Sequence, residues 1–419
     1  MGATGTELIR FCRKNKISYI PFDDNKKVIN KSERISSSEN DFKNLIKKCS
    51  EIIVSPGIGL RNKNIELAKK LGKKIVSEIE FASRYINKPV IAITGTNGKT
   101  TTTLLTLKLL ESAGYKVFLG GNIGSTLINV VSSQNQYDVI LIEASSFQLQ
   151  FVQSFFKPFI AVFLNISENH LDHHLNMREY FESKMNIFRN QDQVCFALCS
   201  KDIYEKISYR NKAFFLNPFR NNGVNLSQDG ITVNNEYQIR FNNLKLIGFH
   251  NLENISFALS IFSIFKKILP KQIKLIEQFT PPNHRLEIIR KYKEKIVIND
   301  SKSTSPQATE AALKSLRKNV ILLMGGKDKK LNYNLLKKEM NKKVTILILF
   351  GENKFELAKF FNKSKQIIAI DLFDAVEKGL KNCSHGHTLL FSPGTSSFDQ
   401  FNSYSERGDK FKEYVQKLS

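Results

Sequence analysis

The sequence predicts an α/β protein of several domains built on parallel sheets. Three observations carry that prediction. Short, uninterrupted apolar runs recur along the chain and alternate with helix-like stretches. That is the rhythm of strands buried on both faces and joined by crossover helices. A glycine-rich turn follows one such run and opens directly into a helix. The 419 residues leave room for several cores, roughly two to four domains at ordinary size.

The elements follow in order. In residues 1–88, "ISYIPFDD" (17–24) predicts a strand ending in acids, and "EIIVSPGIG" (51–59) a strand entering a Pro-Gly turn. A second section, 89–281, starts at Pro89. Its "PVIAIT" is a buried strand, and "TTTLLTLKLLESAG" a helix closed by Gly114. "YDVILIEAS" (137–145) and "PFIAVFLNIS" (158–167) are two further strands. The polar, Asn-rich text from 200 to 245 predicts hairpins, and "NLENISFALSIFSIFKKIL" a helix. "TPPNHR" (280–285) reads as a linker into a third section, 282–419. There "EKIVIND", "NVILLMGG", "VTILILFGE" and "HTLLFSPG" repeat the strand pattern.

Composition narrows the function classes. At 41% hydrophobic and 24% charged residues this is ordinary globular material. The net charge of +24 raises nucleic acid as a partner. However, Lys, Asn, Ile and Phe are plentiful everywhere and the lysines form no single stripe, so coding bias is the reading, with no nucleic-acid partner. A positive surface also suits anionic small substrates. The five cysteines, at 12, 49, 195, 199 and 383, have no zinc-ligand spacing and read as free thiols. The longest apolar runs are strand-sized and "MGATGTELIRF" lacks a signal-peptide core, so the expectation is a cytoplasmic protein without membrane insertion.

Reactive residue types gather just past the strands, where parallel sheets bind ligands. "VIAITGTNGKTTTT" (90–103) puts Gly95, Thr96, Asn97 and Gly98 between strand and helix, followed by Lys99, Thr100 and Thr101. Glycines let backbone N–H groups close on phosphate, and the helix start adds partial positive charge. Lys99 would neutralise phosphates and Thr100 would hold Mg²⁺. The common pattern wants a glycine where this chain has Ile93, so the loop is unusually tight. Glu143 ends a buried strand and suits a metal ligand. "NISENHLDHH" offers His170, His173 and His174. It lacks the HExxH arrangement, so one histidine completing a Mg²⁺ site fits better than zinc, with the other two exposed to solvent. Lys184, in "YFESKMNIF", reads on sequence alone as a surface lysine laying its stem along apolar neighbours. Asp300, Lys302, Lys327, Ser396 and Ser397 follow three strands of the last section.

Taken together, "GTNGKTT", "GNIG", "EASSFQL", "NISENHLDHH", "GFHNLENISFA", "HRLE", "NDSKSTSP" and "SPGTSSFDQFNSYSERGDKF" resemble the Mur ligases, over nearly the whole chain and in order. The last two stretches resemble the members that add D-glutamate. The resemblance implies a Rossmann-like N-terminal domain for the UDP moiety, a P-loop ATPase-like central domain, and a Rossmann-like C-terminal domain for the amino acid. It implies ATP-dependent amide formation between UDP-N-acetylmuramoyl-L-alanine and D-glutamate, through an acyl phosphate, by a monomer. Lys99 and the loop amides would cradle phosphate. Thr100 and Glu143 would bind one Mg²⁺, and His170 a second, supported by Lys184 as a carbamate. Asn254 would face adenine, while Arg285 and Asp300 would reach phosphate and ribose. Lys302 and Thr304 would lie beside the reacting centre. Thr304, Lys327, Ser397 and Tyr404 would receive D-glutamate, Asn122 would approach the muramoyl-alanine part, and Ala3, Thr4, Asp23 and Gly57 would line the uridine site. Other Mur ligases and folylpolyglutamate synthetases share the short loop, but "NDSKSTSP" disfavours them.

The sequence departs from the family at three places. Asn169 stands where aspartate is common, and Tyr404 where phenylalanine is usual. The family's apolar strand before the first glycine turn has no counterpart, since the chain begins at "MGATG". The expectation is an uncovered gap beside "ISYIPF", from a start assigned too late or a decaying gene.

Overall fold

The structure is a computed structural model that describes residues 2–23, 39–170, 173–207, 215–216, 223–227, 229–246, 248–280, 283–292, 295–316, 318–328, 331–362 and 365–418. It divides into two compact units. One comprises residues 1–227, 231–238 and 254–273; the other comprises 228–230, 239–253 and 274–419.

The first unit opens with the helix Ala3–Lys14 and a parallel pair, β1 (Glu51–Val54) and β2 (Lys74–Ser77). The strand expected at 17–24 is a correction. Residues 17–20 form no ladder, Phe22 makes only an isolated bridge, and Asp24 lies outside the described residues. A strand is defined by a neighbour, and the sheet holding β1 and β2 has just those two members among the described residues. Ile17 and Tyr19 bury themselves differently, against a core that includes Val76, Ile79 and Phe81. The helix Glu78–Ser83 in that core carries two buried carboxylates. Glu80 accepts from the backbone N–H groups of Ser154, Phe155 and Phe156. Glu78 accepts from Ile128 N, and burial pushes its carboxyl up to about 7.

The main sheet of this unit is parallel, with β3 (Val90–Thr94), β4 (Val117–Gly121), β5 (Val139–Glu143), β6 (Ile160–Phe163), β7 (Phe196–Cys199) and β8 (Phe215–Leu216) in the order β4-β5-β3-β6-β7-β8. Every residue of β3, β5 and β6 is buried, as continuous apolar runs require. The helix Lys99–Ser112 follows β3, and Gly114, at φ 88°, closes it as expected. The Asn-rich text forms a small sheet of β9 (Val224–Leu226), β10 (Gly230–Val233) and β11 (Tyr237–Arg240). Asn234 and Asn235, both near φ +55°, turn the hairpin. The expected helix after it is Phe249–Phe265.

The second unit holds the other large sheet: β12 (Glu287–Tyr292), β13 (Lys295–Asn299), β14 (Val320–Gly325), β15 (Val344–Phe350), β16 (Gln366–Ile368) and β17 (Thr388–Phe391), in the order β12-β13-β17-β14-β15-β16. β12 is an antiparallel edge that the sequence reading missed; the remaining pairs are parallel. Side chains along β14 alternate between two cores. Val320, Leu322 and Met324 enter one, Ile321 and Leu323 the other. Because the inner strands are parallel, their carboxyl ends emerge on one edge and gather the loops after Asn299, Gly325, Phe350 and Phe391. All five cysteines are free, and no helix among the described residues is long and apolar enough to cross a membrane.

Candidate functional site

In the first unit the loop Gly95–Gly98 turns β3 into the helix Lys99–Ser112. Gly98 caps that helix at φ 82°, a conformation that favours glycine. A Cβ there would come within 2.2 Å of Asn254 Oδ1. Asn254 is buried in the helix Phe249–Phe265, and its Oδ1 also accepts from Thr102 Oγ1 at 3.2 Å. Thr101 is buried as well.

Two lysines converge on one carbonyl. Lys99 Nζ donates to Gly95 O (2.8 Å) and Thr96 O (2.9 Å). Lys184 Nζ donates to the same Gly95 O at 2.9 Å. Lys184 is only 1% exposed, which corrects the surface-lysine reading. The helix Met177–Met185 turns it inward, over the Tyr180 ring at 4.8 Å. Burial, and the charge of Lys99, hold its amine well below the ordinary lysine range.

Beside them, Glu143 at the tip of β5 uses both oxygens. Thr100 Oγ1 donates to Oε2 at 2.8 Å and Asn122 Nδ2 to Oε1 at 2.7 Å. These hard oxygen donors fit a magnesium ion. Asn122 N also donates to Glu143 O, and a Cβ on Gly121 would stand 2.3 Å from that oxygen. His170 sits on a strained turn at φ 55°. Its carbonyl accepts from the N–H groups of His173 and His174, and its ring lies edge-on to Phe147. It is exposed, and its ring lies 6.1 Å from that of Tyr180, the ring that Lys184 also meets.

The expectation that His173 and His174 face solvent is corrected. His174 is fully buried, with Nε2 3.0 Å from Ser146 Oγ and Nδ1 3.4 Å from Glu179 Oε1. Burial, His173 and Lys184 lower its pKa despite Glu179. His173 is half-buried and meets Gln150 Oε1 at 3.2 Å. Of the other positions in this unit, Ala3 and Thr4 open the first helix, Asp23 is half-buried and Gly57 exposed.

In the second unit the loop tips are fastened together from beneath. Arg407, on the helix Tyr404–Lys417, is fully buried. Its guanidinium donates to Ser301 Oγ (3.1 Å), Ser301 O (2.8 Å) and Thr395 O (3.1 Å). Burial lowers its pKa to about 9, against the pull of Asp399 and Asp300. Asp300 is buried too; Ser392 Oγ donates to its Oδ2 at 2.8 Å, Ser303 Oγ to the same oxygen, and Leu286 N to Oδ1 at 3.2 Å. Burial raises this carboxyl to about 6. Lys302 stacks its ammonium over Tyr404, 3.8 Å from the ring centre, while Tyr404 O accepts from Ser301 Oγ. Lys327 pairs with Glu352 Oε2 at 2.7 Å, and Lys327 N donates to Ser396 O. Thr304 and Arg285 are half-buried beside these loops, and Ser397 is buried. The sequence reading did not single out Arg407 as the residue that fastens these loops. The available signal was a basic residue on the same helix face as Phe411 and Val415.

Comparisons with known proteins agree with this architecture. Residues 93–262 match the Mur ligase middle domain, and residues 284–394 the Mur ligase glutamate ligase domain. The chain is 35% identical to the UDP-N-acetylmuramoylalanine–D-glutamate ligase of Geobacter metallireducens over 88% of this chain and 83% of that protein. It is 33% identical to the enzyme of that name from Caldicellulosiruptor saccharolyticus, over 100% of this chain and 97% of that one. Among solved structures it shares its fold with the MurF ligase of Thermotoga maritima in complex with ADP, at TM-score 0.60, 16% identity, and 88% and 98% of the two chains covered. It likewise resembles E. coli FolC in complex with DHPP and ADP, at TM-score 0.60, 16% identity, and 82% and 94% covered. The chain belongs to the Mur ligase family, within its group of UDP-N-acetylmuramoylalanine–D-glutamate ligases.

Proposed function

We propose that the first unit activates the carboxylate of UDP-N-acetylmuramoyl-L-alanine with ATP, and that the second seats the D-glutamate whose amine captures it. The observation that carries this reading is the pair of lysines on Gly95 O beside the Thr100–Glu143 contact. Carboxylate and triphosphate repel each other, so their approach needs fixed positive charge. Lys99 and the first-turn amides of its helix supply it, with Gly95, Thr96, Asn97, Gly98, Thr100 and Thr101 shaping the loop. The carboxylate oxygen attacks the γ-phosphorus and ADP leaves, giving an acyl phosphate. The amine of D-glutamate then attacks the acyl carbon, loses a proton, and inorganic phosphate departs.

Thr100 and Glu143 would hold one Mg²⁺, and His170 with Lys184 a second; such ions offset the charge on the transferring phosphoryl group. A buried amine kept neutral is nucleophilic. Lys184 Nζ would add to CO₂ and release a proton, becoming a carbamate with the oxygen donors that an ammonium lacks. Asn254, Arg285 and Asp300 would take the nucleoside, and Lys302 would stand by the reacting carboxylate. Thr304, Lys327, Ser397 and Tyr404 would bind D-glutamate. Ala3, Thr4, Asp23, Gly57 and Asn122 would hold the UDP-linked partner. ATP and a UDP-linked precursor would suit a reaction in the cytoplasm, and we infer that the enzyme acts there as a monomer.

The test is ADP release by the purified protein with D-glutamate, L-glutamate and folate substrates. D-glutamate alone should support turnover, and Lys99→Ala should lower it about 10²–10³-fold. Equal turnover with L-glutamate and a folate, or an unaffected Lys99→Ala enzyme, would overturn the reading.

A further inference from the structure

The short loop needs something to hold its curvature. β3 and β6 are neighbours, and their hydrogen bonding does not stop where the strands end. Leu164 N donates to Thr94 O at 2.9 Å, and Thr96 N donates to Asn165 O at 3.0 Å. One rung later the side chain of Asn165 takes over from the backbone. Its Oδ1 accepts from Asn97 N at 2.9 Å, and its Nδ2 donates to Asn97 O at 3.1 Å. A carboxamide carries the same donor and acceptor as a peptide group, so one side chain completes both groups of one residue.

We infer that Asn165 is a positioning residue for the nucleotide: its side chain stands in for the next peptide of the sheet and fixes the loop that aims the start of the helix Lys99–Ser112 at phosphate. This inference rests on the nucleotide reading of that loop.

Two further observations support it. A Cβ on Gly95 would meet Leu164 Cβ at 3.0 Å and Asn165 N at 3.4 Å, so the loop lies directly against this segment. Thr96 adds another rung: its Oγ1 accepts from Ser167 N at 3.1 Å and lies 3.2 Å from Tyr180 OH. The consequence for the cradle is specific. The amides of Thr96 and Asn97 are committed to Asn165, so the phosphate-facing work falls to the helix start and to Lys99. Here the segment that follows β6 closes the loop.

The requirement is chemically narrow. Aspartate would set an acceptor against the Asn97 carbonyl. Glutamine would carry its amide one methylene too far. Alanine would remove both bonds. The experiment uses the full-length enzyme, with KM for ATP and for D-glutamate, ADP binding by calorimetry, and thermal melting, for Asn165→Ala, Asn165→Asp and Asn165→Gln. Losing one or two such bonds should raise the KM for ATP and the Kd for ADP about tenfold. The KM for D-glutamate should stay within twofold. Aspartate, which keeps the Oδ1 acceptor, carries the test if alanine does not fold.

Lowered melting with unchanged ATP affinity, or equal rises in both KM values, would overturn the inference. So would failure of all three variants to fold, since Asn165 would then be a folding residue. Lys99→Ala separates the two levels. If that variant is inactive while the Asn165 variants bind ADP normally, the inference alone falls; if it keeps its turnover, the nucleotide reading falls with it.

Discussion

The two units hold their loops by opposite means. In the first unit the scaffold is neutral: a carboxamide pins Asn97, and lysines rest on backbone carbonyls. In the second the scaffold is charged: Arg407 and Asp300, both buried, fasten the tips after β13 and β17. The partners of two loop lysines differ in the same way. Lys99 sits on neutral oxygens, whereas Lys327 is paired with a carboxylate, Glu352. Under the proposed function, Lys99 would meet a polyanion there. Under the same proposal the second unit would receive one amino acid with charges of both signs, and Lys327 would exchange one carboxylate for another. That pair is exposed and screened by solvent, so the exchange would be easy.

The largest effect expected from this contrast is at Lys184. Lys184→Met should lower ligase turnover about 10²–10³-fold, yet unfold at no lower denaturant concentration than the wild type at pH 7. The sign follows from burial. The folded-state pKa lies below the ordinary lysine value. The stability linked to it is present above the unfolded value of about 10.4 and lost as pH falls through the folded one. Methionine removes that loss, so its advantage should shrink between pH 7 and 9.5. Denaturation midpoints at the two values measure it. A methionine variant less stable than wild type at pH 7 would mean that the lysine is welcome where it is, and the neutral-amine account would fail.

Next comes Arg407. Arg407→Met strands the carbonyls of Ser301 and Thr395, which no other described group is seen to reach. The expected cost is about 2–4 kcal/mol of stability. The KM for D-glutamate should rise about tenfold, one decade per lost 1.4 kcal/mol of binding, with ADP binding unchanged within twofold. Should ADP binding weaken as much as D-glutamate use, the division of labour drawn above is wrong.

The same contrast explains what could be read in advance. The loop proposed to cradle phosphate is contiguous: a strand, two glycines, a lysine and a helix start within fourteen residues, Val90–Thr103. Local periodicity and one motif suffice for it. The scaffold around it is not local. Asn165 lies 68 positions from Asn97, and no spacing rule links them. Lys184 looks like any amphipathic-helix lysine until the helix is docked. The second unit draws one or two residues from each of several strand ends, so position after a strand picked out Lys302, Lys327 and Ser397 singly, and only the resemblance gave them a common ligand and added Tyr404. Arg407 escaped because a single arginine on an apolar helix face is hard to tell from a snorkelling one. The missing ladder at 17–20 is a related failure, since alternation predicts a strand and only a neighbour can make it one.

The smallest effect sharpens the comparison through pH. Burial raises Asp300 from an ordinary 3.8 to about 6. A raised acid contributes stability that is fully present below its unfolded pKa and lost as pH rises through the folded one. The wild type should therefore lose ground to Asp300→Asn between pH 4 and 7, by on the order of 3 kcal/mol at most. The substitution keeps the frame. Leu286 N can still donate to Oδ1, and the hydroxyls of Ser303 and Ser392 can rotate to accept from an amide. Lys184 runs the other way, because its penalty eases as pH rises. Midpoints measured across the range for both variants should thus diverge from wild type at opposite ends of the scale. An Asp300→Asn advantage that stays flat from pH 4 to 7 would remove buried charge from the account of the second unit, and with it the contrast between a neutral scaffold and a charged one.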